Sequence, residues 1–268
     1  MFVHMLELNT APNLTAPVPA ASIMLLRDGA EAGVEVLMLK RSMKSAVLGG
    51  VYVFPGGKLD ASDRAPDLHT ALSEKPETLL ARIGNNPVTP TEAAAFFVAA
   101  CRETFEECGV QLQVSDLVAW SRWTTPMLSS FMTKRFDTQF FAAAMPKDQV
   151  AIHDDHEAVA STWFRPREAL TQYWEGLIDL APVQLMSLLD LSRFKSAEEA
   201  LARARERPAP HILPEPFQDG DSRVVTYPGD ERHSIRTRML PGPTRLRSTP
   251  KRFEPEEGGF DGFFVNMR

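Results

Sequence analysis

The sequence predicts a mixed α/β fold in which helices pack against a mixed sheet. Short strand-like segments lie before and after one long, well-defined helix pattern. The order of three strands, an insertion, a helix, three strands and further helices lacks the regular alternation of a doubly wound sheet. With 268 residues, the chain is long enough for one large domain or for a domain with an extension.

The N-terminal part is predicted to be an arm followed by three strands. Residues 1–19 carry three prolines and little pattern, which indicates an arm. Residues 21–27 and 34–40 are strand-like and are separated by a turn that contains glycine. A third short strand at 51–54 is expected to end at the Pro55-Gly56-Gly57 sequence.

A polar insertion and the best-defined helix of the chain follow. Residues 61–88 are polar and rich in proline, with one apolar patch at 79–83 that predicts a small helix. The sequence from Thr89 to Glu92 has the spacing of a capping box with proline at the first helical position, and Gly109 is a natural stop. Four residues at helical spacing predict one apolar face: Phe97, Cys101, Phe105 and Cys108.

The second half of the chain changes character at residue 208. Before it, strands are predicted at 111–118, 136–144 and 158–164, and helices within 166–207. Nine of the 21 prolines lie from residue 208 onward, which argues against a second packed helical domain. Two short strand candidates remain there, at 222–226 and 262–265.

Charge, hydropathy and cysteine content limit the classes of function. A net charge of −6 argues against general nucleic-acid binding but leaves room for an anionic small molecule bound through a metal ion and local cations. No apolar run approaches the roughly 18 residues of a membrane span, and the N-terminus lacks a secretory pattern. Cys101 and Cys108 lie too far apart on one helix for a disulfide, which predicts a reduced cytosolic protein.

Three glutamates on the predicted helix are candidate metal ligands. Glu103, Glu106 and Glu107 stand at positions i, i+3 and i+4, so their carboxylates share one face. Clustered carboxylates repel one another, and such an arrangement suits a hard divalent cation such as Mg²⁺ or Mn²⁺. Taken alone, the pattern is more often a solvated acidic face of a surface helix.

The residues around these glutamates favour the metal site. Phe54-Pro55-Gly56-Gly57 lies upstream, and the helix reads Arg102-Glu103-Thr104-Phe105-Glu106-Glu107-Cys108-Gly109-Val110. Together they resemble the Nudix box, with Asp63 where the family usually has glutamate. The stretch from Gly57 to Arg102 is much longer than in the family, and the excess coincides with the insertion. Structural and functional roles are equally open for Asp63, and the insertion could be a lid, a substrate-reading element or an oligomer contact.

The Nudix resemblance implies a fold and a division of the chain. It implies a Nudix-type mixed-sheet α/β/α sandwich with a helical and proline-rich C-terminal extension. The expected parts are an N-terminal arm at 1–19, a catalytic domain at 20–170, a helical extension at 171–207 and a proline-rich extension at 208–268.

The resemblance also implies roles for the box residues. Glu103, Glu106 and Glu107 are expected to bind Mg²⁺ or Mn²⁺ together with the backbone carbonyl of Gly56. Arg102 is expected to orient a glutamate through a charge-assisted hydrogen bond. Cleavage of a diphosphate bond by a metal-activated water is the implied reaction, with Arg102 and Glu106 among the catalytic residues.

A general base from outside the box is common in this family. Residues 153–157 read His-Asp-Asp-His-Glu and precede a strand that contains Trp163. Glu157 is the candidate for this role. A separate metal site and an ordinary polar loop are the alternatives for its neighbours.

The sequence before the box resembles the element found in coenzyme A diphosphatases. Arg41 and Ser42 match it and are the first candidates for substrate binding, although Arg41 at a strand end is nearly as often an exposed residue without such a role. Ala46 replaces a second arginine of that element, and Lys44 is a possible substitute. Arg135 is a further candidate for substrate binding.

Later segments are similar to the branch that contains the peroxisomal acyl-CoA diphosphatases. The similar segments are the long insertion, 123–126, 135–138 and 140–141. Trp123 and Phe140 could stack on a base, although aromatic residues beside strands are more often core. The last four residues are not a peroxisomal address, so a cytoplasmic location is expected.

Three functions are therefore under consideration. The first is hydrolysis of the diphosphate in coenzyme A or acyl-CoA, and the second is the same chemistry on ADP-ribose or another nucleoside diphosphate derivative. The third is a ligand sensor without catalysis, which such proteins usually reach by losing box acids, whereas this chain keeps all three glutamates. The expected partner is a nucleotide-type diphosphate small molecule, with no nucleic acid and no membrane, and a homodimer is left open.

Overall fold

The computed structural model describes residues 12–30, 33–45, 48–84, 87–128, 134–154 and 158–267, apart from the side chains of 69–71. Eight strands form a central mixed sheet with the order β3-β2-β1-β6-β5-β8, to which β4 is added beside β1 and β7 beside β2. The strands are β1 (Val18–Asp28), β2 (Val34–Arg41), β3 (Tyr52–Val53), β4 (Gly56–Lys58), β5 (Val118–Thr124), β6 (Phe136–Ala144), β7 (Ala158–Phe164) and β8 (His211–Ile212).

Strand β1 is the centre of this sheet. It pairs in parallel with β6 from Val18 to Leu26, and on its other edge it pairs antiparallel with β4 at one end and with β2 at the other. Its middle residues are buried on both faces, as expected for a strand covered on both sides by other layers. The pairing sets Gly56 and Gly57 of β4 directly beside Ser22 and Ala21.

Helices cover both faces of the sheet and complete the predicted α/β/α sandwich. One core contains Ile23, Phe97 and Phe141 beneath the insertion and the long helix, and the other contains Met24, Phe140 and residues of the C-terminal half. In the described part of the chain, no helix has the length and apolar character needed to cross a membrane. The helices are α1 (Pro66–Ala71), α2 (Pro76–Arg82), α3 (Pro90–Cys108), α4 (Pro166–Trp174), α5 (Pro182–Leu191) and α6 (Ala197–Arg205).

Helix α3 has the ends that the sequence predicts. Thr89 and Glu92 form the reciprocal capping box, and Gly109 ends the helix in the left-handed conformation at φ +67°. The predicted apolar face was partly wrong, because Phe105 is 58% exposed whereas Thr104 is fully buried. The buried stripe passes through alanines and Thr104, whose hydroxyl donates to the carbonyl of Ala100 at 2.7 Å.

The insertion packs on the outer side of α3. It forms α1, α2 and a 3-10 helix at Ser62–Arg64, which is more helix than the single predicted patch. Leu79 and Ile83 are buried in the same core as Phe97. Arg82 lies over the Phe97 ring at 4.8 Å and donates to the carbonyl of Leu117. These contacts make the insertion part of the folded body.

One predicted strand of the catalytic region was misplaced. Residues 111–118 form an extended approach and a 3-10 helix at Val114–Asp116, and the strand begins only at Val118. Asp116 accepts from the backbone N–H of Gln113 at 2.8 Å, and this local turn competes with strand formation. The strands predicted at 136–144 and 158–164 are confirmed at both ends.

The C-terminal extension contains a second sheet. It is antiparallel with the order β12-β11-β10-β9, formed by β9 (Glu215–Asp219), β10 (Ser222–Thr226), β11 (Arg245–Ser248) and β12 (Phe253–Pro255). The strand predicted at 222–226 is confirmed, whereas the candidate at 262–265 was wrong. That segment belongs to a 3-10 helix at Gly259–Phe264, in which Phe260 and Phe263 pack on the ring of Trp174.

A buried ion pair holds the loop between β10 and β11. Asp230 is 1% exposed and accepts two hydrogen bonds from Arg245, at 2.6 and 2.7 Å. It also accepts from the backbone N–H of Arg232 and the hydroxyl of Thr244. Burial tends to raise the pKa of Asp230, but these hydrogen bonds outweigh it and hold the pKa below its ordinary value.

Replacing Asp230 with asparagine is expected to lower the free energy of unfolding at neutral pH by about 3 kcal/mol, since Arg245 would lose its buried counter-charge. Because the folded-state pKa is lowered, this stabilisation is complete above the ordinary value of 3.8 and is lost as the pH falls below it. Urea unfolding at pH 7, 5 and 3 should show the deficit shrinking only at the lowest pH. The exposed Asp221→Asn is the control and should change stability by less than about 0.5 kcal/mol. Equal stability of the two variants at pH 7 would contradict the prediction.

Candidate active site

The glutamates of α3 face the two glycines of β4. The backbone N–H of Gly56 donates to Oε2 of Glu107 at 2.8 Å. A Cβ at Gly57 would lie only 2.3 to 2.6 Å from the carboxylate atoms of Glu103, so the absence of a side chain there makes room for that acid. Gly56 has a φ of +149°, and a Cβ there would meet the backbone of β1. The sequence Pro-Gly-Gly therefore brings a bare backbone edge against the acidic face of α3.

Arg102 connects three acidic side chains. Its Nη1 donates to Glu103 at 2.8 Å and to Glu106 at 2.9 Å. Its Nε and Nη2 each donate to one carboxylate oxygen of Asp63 at 2.9 Å, and Nη2 also donates to the carbonyl of Lys58 at 3.0 Å. The hydrogen bonds with Asp63, followed by those with Glu103, raise the pKa of Arg102 above its ordinary value despite partial burial. The guanidinium therefore stays charged and fixes the acids in position.

Asp63 supports Arg102 from behind. Its side chain is 1% exposed, and besides holding Arg102 it accepts from the backbone N–H of Asp60 at 2.7 Å. It stands in the 3-10 helix with which the insertion begins. Of the two roles that the sequence left open, these contacts support the structural one.

The arrangement suits a hard cation in its donor chemistry. Carboxylate oxygens of Glu103 and Glu107 surround the glycine edge, and Glu106 is linked to the same group through Arg102. Within the described residues, however, no three acidic, histidine or cysteine side chains are already arranged around one point. Arg102 lies between Glu103 and Glu106, and the 54% exposed Glu106 is the side chain with room to rotate toward a cation. The predicted set of ligands therefore stays a prediction.

A cleft of about 610 Å³ opens beside the glycine edge. Glu103, Gly56 and Gly57 line it at the acidic helix, while Phe54, Trp123 and other apolar residues line much of the rest. Four basic and two acidic side chains border it, although the whole chain has a net charge of −6. The basic residues are Arg41, Lys58, Lys134 and Arg223, and the acidic ones are Asp60 and Glu103.

Only some of the predicted substrate residues line this cleft. Arg41 lines it, so it is not simply an exposed strand-end residue. Ser42 is absent from the lining and accepts from the backbone N–H of Lys44 in a turn at 3.3 Å. Arg135 is also absent, because its guanidinium donates to the carbonyls of Thr125 and Thr15 at 2.9 and 3.1 Å.

The aromatic candidates serve the core and the cleft together. Trp123 and Phe140 are 6% and 4% exposed, and both also line the cleft. Trp123 packs edge-to-face on Tyr227 at 6.0 Å, and Phe140 packs on Phe54 in the same manner. Trp123 and Phe140 therefore form an apolar, well-packed part of the cleft wall.

Two residues named in the sequence analysis lie outside the described residues. They are Glu157, the expected general base, and Ala46 of the coenzyme A element. The segment that leads toward Glu157 can be placed. The backbone N–H groups of Ile152 and Asp154 donate to the carbonyls of Cys108 and Glu107, at 2.9 and 3.1 Å. This chain segment therefore runs beside the C-terminal end of α3.

Sequence reasoning missed several cleft residues, among them three polar residues from outside the box. Lys134 precedes β6, Gln184 lies on α5 and Arg223 lies on β10, and all three line the cleft. None stands in a recognisable motif. Arg223 is more than a hundred residues from the box, and only tertiary packing reveals its place.

Comparisons with known proteins find similarity to Nudix hydrolases. A family model described as the NUDT19 Nudix domain matches residues 113–193. Acyl-coenzyme A diphosphatase NUDT19 of Xenopus laevis is 26% identical over 74% of this chain and 70% of its own length, and that of Homo sapiens is 27% identical over 83% and 77%. The crystal structure of a Nudix hydrolase from Alicyclobacillus acidocaldarius has a TM-score of 0.57 at 23% identity and covers 70% of this chain and 97% of that protein.

The fold and the acidic motif on α3, taken with these relatives, define a class of enzyme. The chain has the Nudix-type fold and the acidic motif of Nudix hydrolases, and it resembles the acyl-CoA diphosphatase branch of that family. This resemblance indicates a hydrolase that acts on diphosphate bonds. Hydrolases of this family generally use divalent metal ions.

Replacing Asp63 with asparagine is expected to lower the free energy of unfolding by about 2 kcal/mol, because Arg102 would lose a buried charged acceptor. Asp60→Asn is a matched control, since Asp60 is 65% exposed and lies 3.9 Å from the same guanidinium. Its effect should be under about 0.5 kcal/mol. The measurement is urea unfolding of both variants beside the parent. Equal losses would show that burial of Asp63 is not what matters.

Replacing each of the two glycines of β4 with alanine is expected to have a different effect. Gly57→Ala would push the flexible carboxylate of Glu103 aside, leaving stability nearly unchanged and lowering activity by about tenfold to a hundredfold. Gly56→Ala would set its Cβ against the backbone of Ala21 and Ser22, so the fold itself should lose stability. Thermal unfolding and diphosphate hydrolysis, measured on both variants, check this contrast. A fully active Gly57→Ala protein would refute it.

Proposed function

We propose that this protein hydrolyses the diphosphate bond of coenzyme A or acyl-CoA with Mg²⁺ or Mn²⁺. The observation that carries the proposal is a largely apolar cleft with four cationic side chains that ends at the acidic helix of the Nudix box. The relatives named acyl-coenzyme A diphosphatase support the choice of substrate.

The lining of the cleft fits both halves of such a substrate. Arginine and lysine side chains bind phosphate groups, and Arg41 and Lys58 both line the cleft, with Lys58 directly after the glycine edge. Apolar residues such as Phe54, Phe140 and Val183 offer a surface for a pantetheine arm and an acyl chain. A ligand with several phosphates and a long uncharged arm therefore matches the cleft in charge and in polarity.

The proposed metal ligands are Glu103, Glu106, Glu107 and the carbonyl of Gly56. A bound divalent cation would supply charge neutralisation at the diphosphate and a more acidic water. Glu107 accepts a hydrogen bond from the N–H of Gly56, and Arg102 donates to Glu103, which lies beside Gly57, and to Glu106. Glu157 is the proposed general base.

The reaction consumes one water. Its oxygen bonds to one phosphorus, the bridging P–O bond breaks, and the protein must accept the proton released by the water. With coenzyme A the products are adenosine 3′,5′-bisphosphate and phosphopantetheine. ADP-ribose stays the second candidate, because Ala46 replaces an arginine of the coenzyme A element.

Further proposals concern organisation and location. We propose residues 20–170 as the catalytic unit, with 1–19 as an arm and with 171–207 and 208–268 as extensions. A cytoplasmic location is proposed because Cys101 and Cys108 are free thiols, whose pKa burial raises to about 12. A homodimer is proposed only from the frequency of dimers among Nudix proteins.

The proposed function is tested by measuring hydrolysis of four compounds with millimolar Mg²⁺: coenzyme A, acetyl-CoA, ADP-ribose and NADH. The products are identified by mass spectrometry. The parent is expected to cleave the two CoA compounds faster than the others. Glu106→Gln is expected to lower activity by at least about a hundredfold, since one of the proposed metal ligands loses its charge. Glu198→Gln, at an exposed position on α6, is the control and should behave like the parent.

The alternatives give different results. Turnover restricted to ADP-ribose or NADH would keep the Nudix mechanism and reject the CoA assignment. If a folded parent cleaves none of the four compounds and Glu106→Gln behaves identically, the protein is a ligand sensor without catalysis.

A further inference from the structure

The C-terminal half of the chain forms part of the cleft wall. Gln184 with its neighbours at the start of α5, Pro214 and Pro216 around β9, and Arg223 and Val225 of β10 all line it. These residues lie beyond the unit proposed to be catalytic. A ligand that fills the cleft must therefore contact both the box and the extensions.

Arg223 is the charged residue of this wall. It is 6% exposed, and its Nη1 donates to the backbone carbonyl of Leu128 at 2.9 Å. Because residues of a strand alternate in direction, Arg223 and Val225 point to the same face of β10, toward the cleft. Burial lowers the pKa of Arg223, which means that its charge is poorly solvated. An anion bound in the cleft would offset that desolvation.

Gln184 provides a second, independent indication of a ligand. It is 5% exposed and lines the same cleft. Its buried Oε1 has no hydrogen-bond partner among the described residues. An unsatisfied buried acceptor costs free energy, and a ligand N–H would satisfy it.

The cations of the cleft fall into two groups by their place in the fold. Arg41 stands at the end of β2, and Lys58 stands on β4 directly after the glycine edge. Lys134 and Arg223 stand before β6 and on β10. A diphosphate at the box would engage the first group, which leaves the second for another phosphate of the same ligand.

We propose that Arg223 and Gln184 form a recognition subsite for a phosphate that is not cleaved and for an N–H donor of the same ligand. This inference builds on the proposed function. The subsite would select substrates whose nucleotide carries a phosphate on the ribose in addition to the diphosphate. It would make the C-terminal extension a determinant of specificity, since Arg223 holds a charge that the box does not supply.

Kinetics on coenzyme A and 3′-dephospho-CoA test the subsite, because both carry the same scissile diphosphate. Arg223→Gln is expected to raise KM for coenzyme A about tenfold, because a charge-assisted contact with the substrate is lost. KM for 3′-dephospho-CoA is expected to stay within about twofold of the parent's value. kcat should change little for either compound. Arg223→Lys should recover part of the difference. Arg238→Gln is the control, since Arg238 also donates to a backbone carbonyl but does not line the cleft.

Equal losses on both substrates would overturn the proposal, since they would assign Arg223 to the cleaved diphosphate or to the fold. Unchanged kinetics would also overturn it. Thermal unfolding of each variant separates a folding defect from a binding defect.

Calorimetric titration with adenosine 3′,5′-bisphosphate and with AMP tests the subsite without turnover. The parent protein is expected to bind the bisphosphate more tightly than AMP, and Arg223→Gln is expected to lose this preference. If the preference is found but neither CoA compound is hydrolysed, the subsite is supported and the proposed function is rejected. Absence of that preference in a protein that cleaves coenzyme A would reject the subsite alone.

Gln184→Leu gives an independent readout. Removing the unsatisfied acceptor is expected to leave the unliganded protein as stable or more stable, while affinity for the bisphosphate or for coenzyme A falls. Unchanged affinity for both would remove Gln184 from the subsite.

Discussion

The hydrogen-bonded ion pair between Arg102 and Asp63 is the interaction on which the site depends. It joins the start of the insertion to α3, and the same guanidinium reaches Glu103, Glu106 and the carbonyl of Lys58. Three separate parts of the chain therefore meet at one cation. Asp63 is buried and Arg102 is partly buried, and their ion pair places a positive charge between acids that would otherwise repel one another. A long insertion inside the motif is compatible with the site because its first turn places the Asp63 carboxylate against Arg102.

The insertion and the C-terminal extension contribute to the protein in different ways. The insertion packs against the outer side of α3 through Leu79 and Ile83, and none of its described residues lines the cleft. The extension lies across the other side of the sheet and lines the cleft with Gln184 and Arg223. One addition thus stabilises the catalytic helix, while the other shapes the space that a ligand would occupy.

Local rules predicted the elements whose signals lie within a few residues. The capping box at Thr89, the stop at Gly109 and the strands at 136–144 and 158–164 are found where the sequence placed them. The errors arose where a local pattern was overridden. Phe105 has helical spacing from Phe97 but faces solvent, because the sheet accepts the small side chains of the neighbouring stripe. Residues 262–265 look strand-like, yet they pack as a 3-10 helix on Trp174.

The sequence by itself determined the class of fold, the acidic helix and the glycine edge, since each is written in contiguous residues whose spacing carries the chemistry. Only the tertiary structure decided which cations border the cleft. Arg135 looked suitable but is bound to backbone carbonyls, whereas Arg223, remote in sequence, is buried at the cleft wall. The physical reason is that a cleft is formed by packing between distant segments. The direction of a side chain across such a gap follows from the pairing of strands and the burial of a common core, which no local pattern encodes.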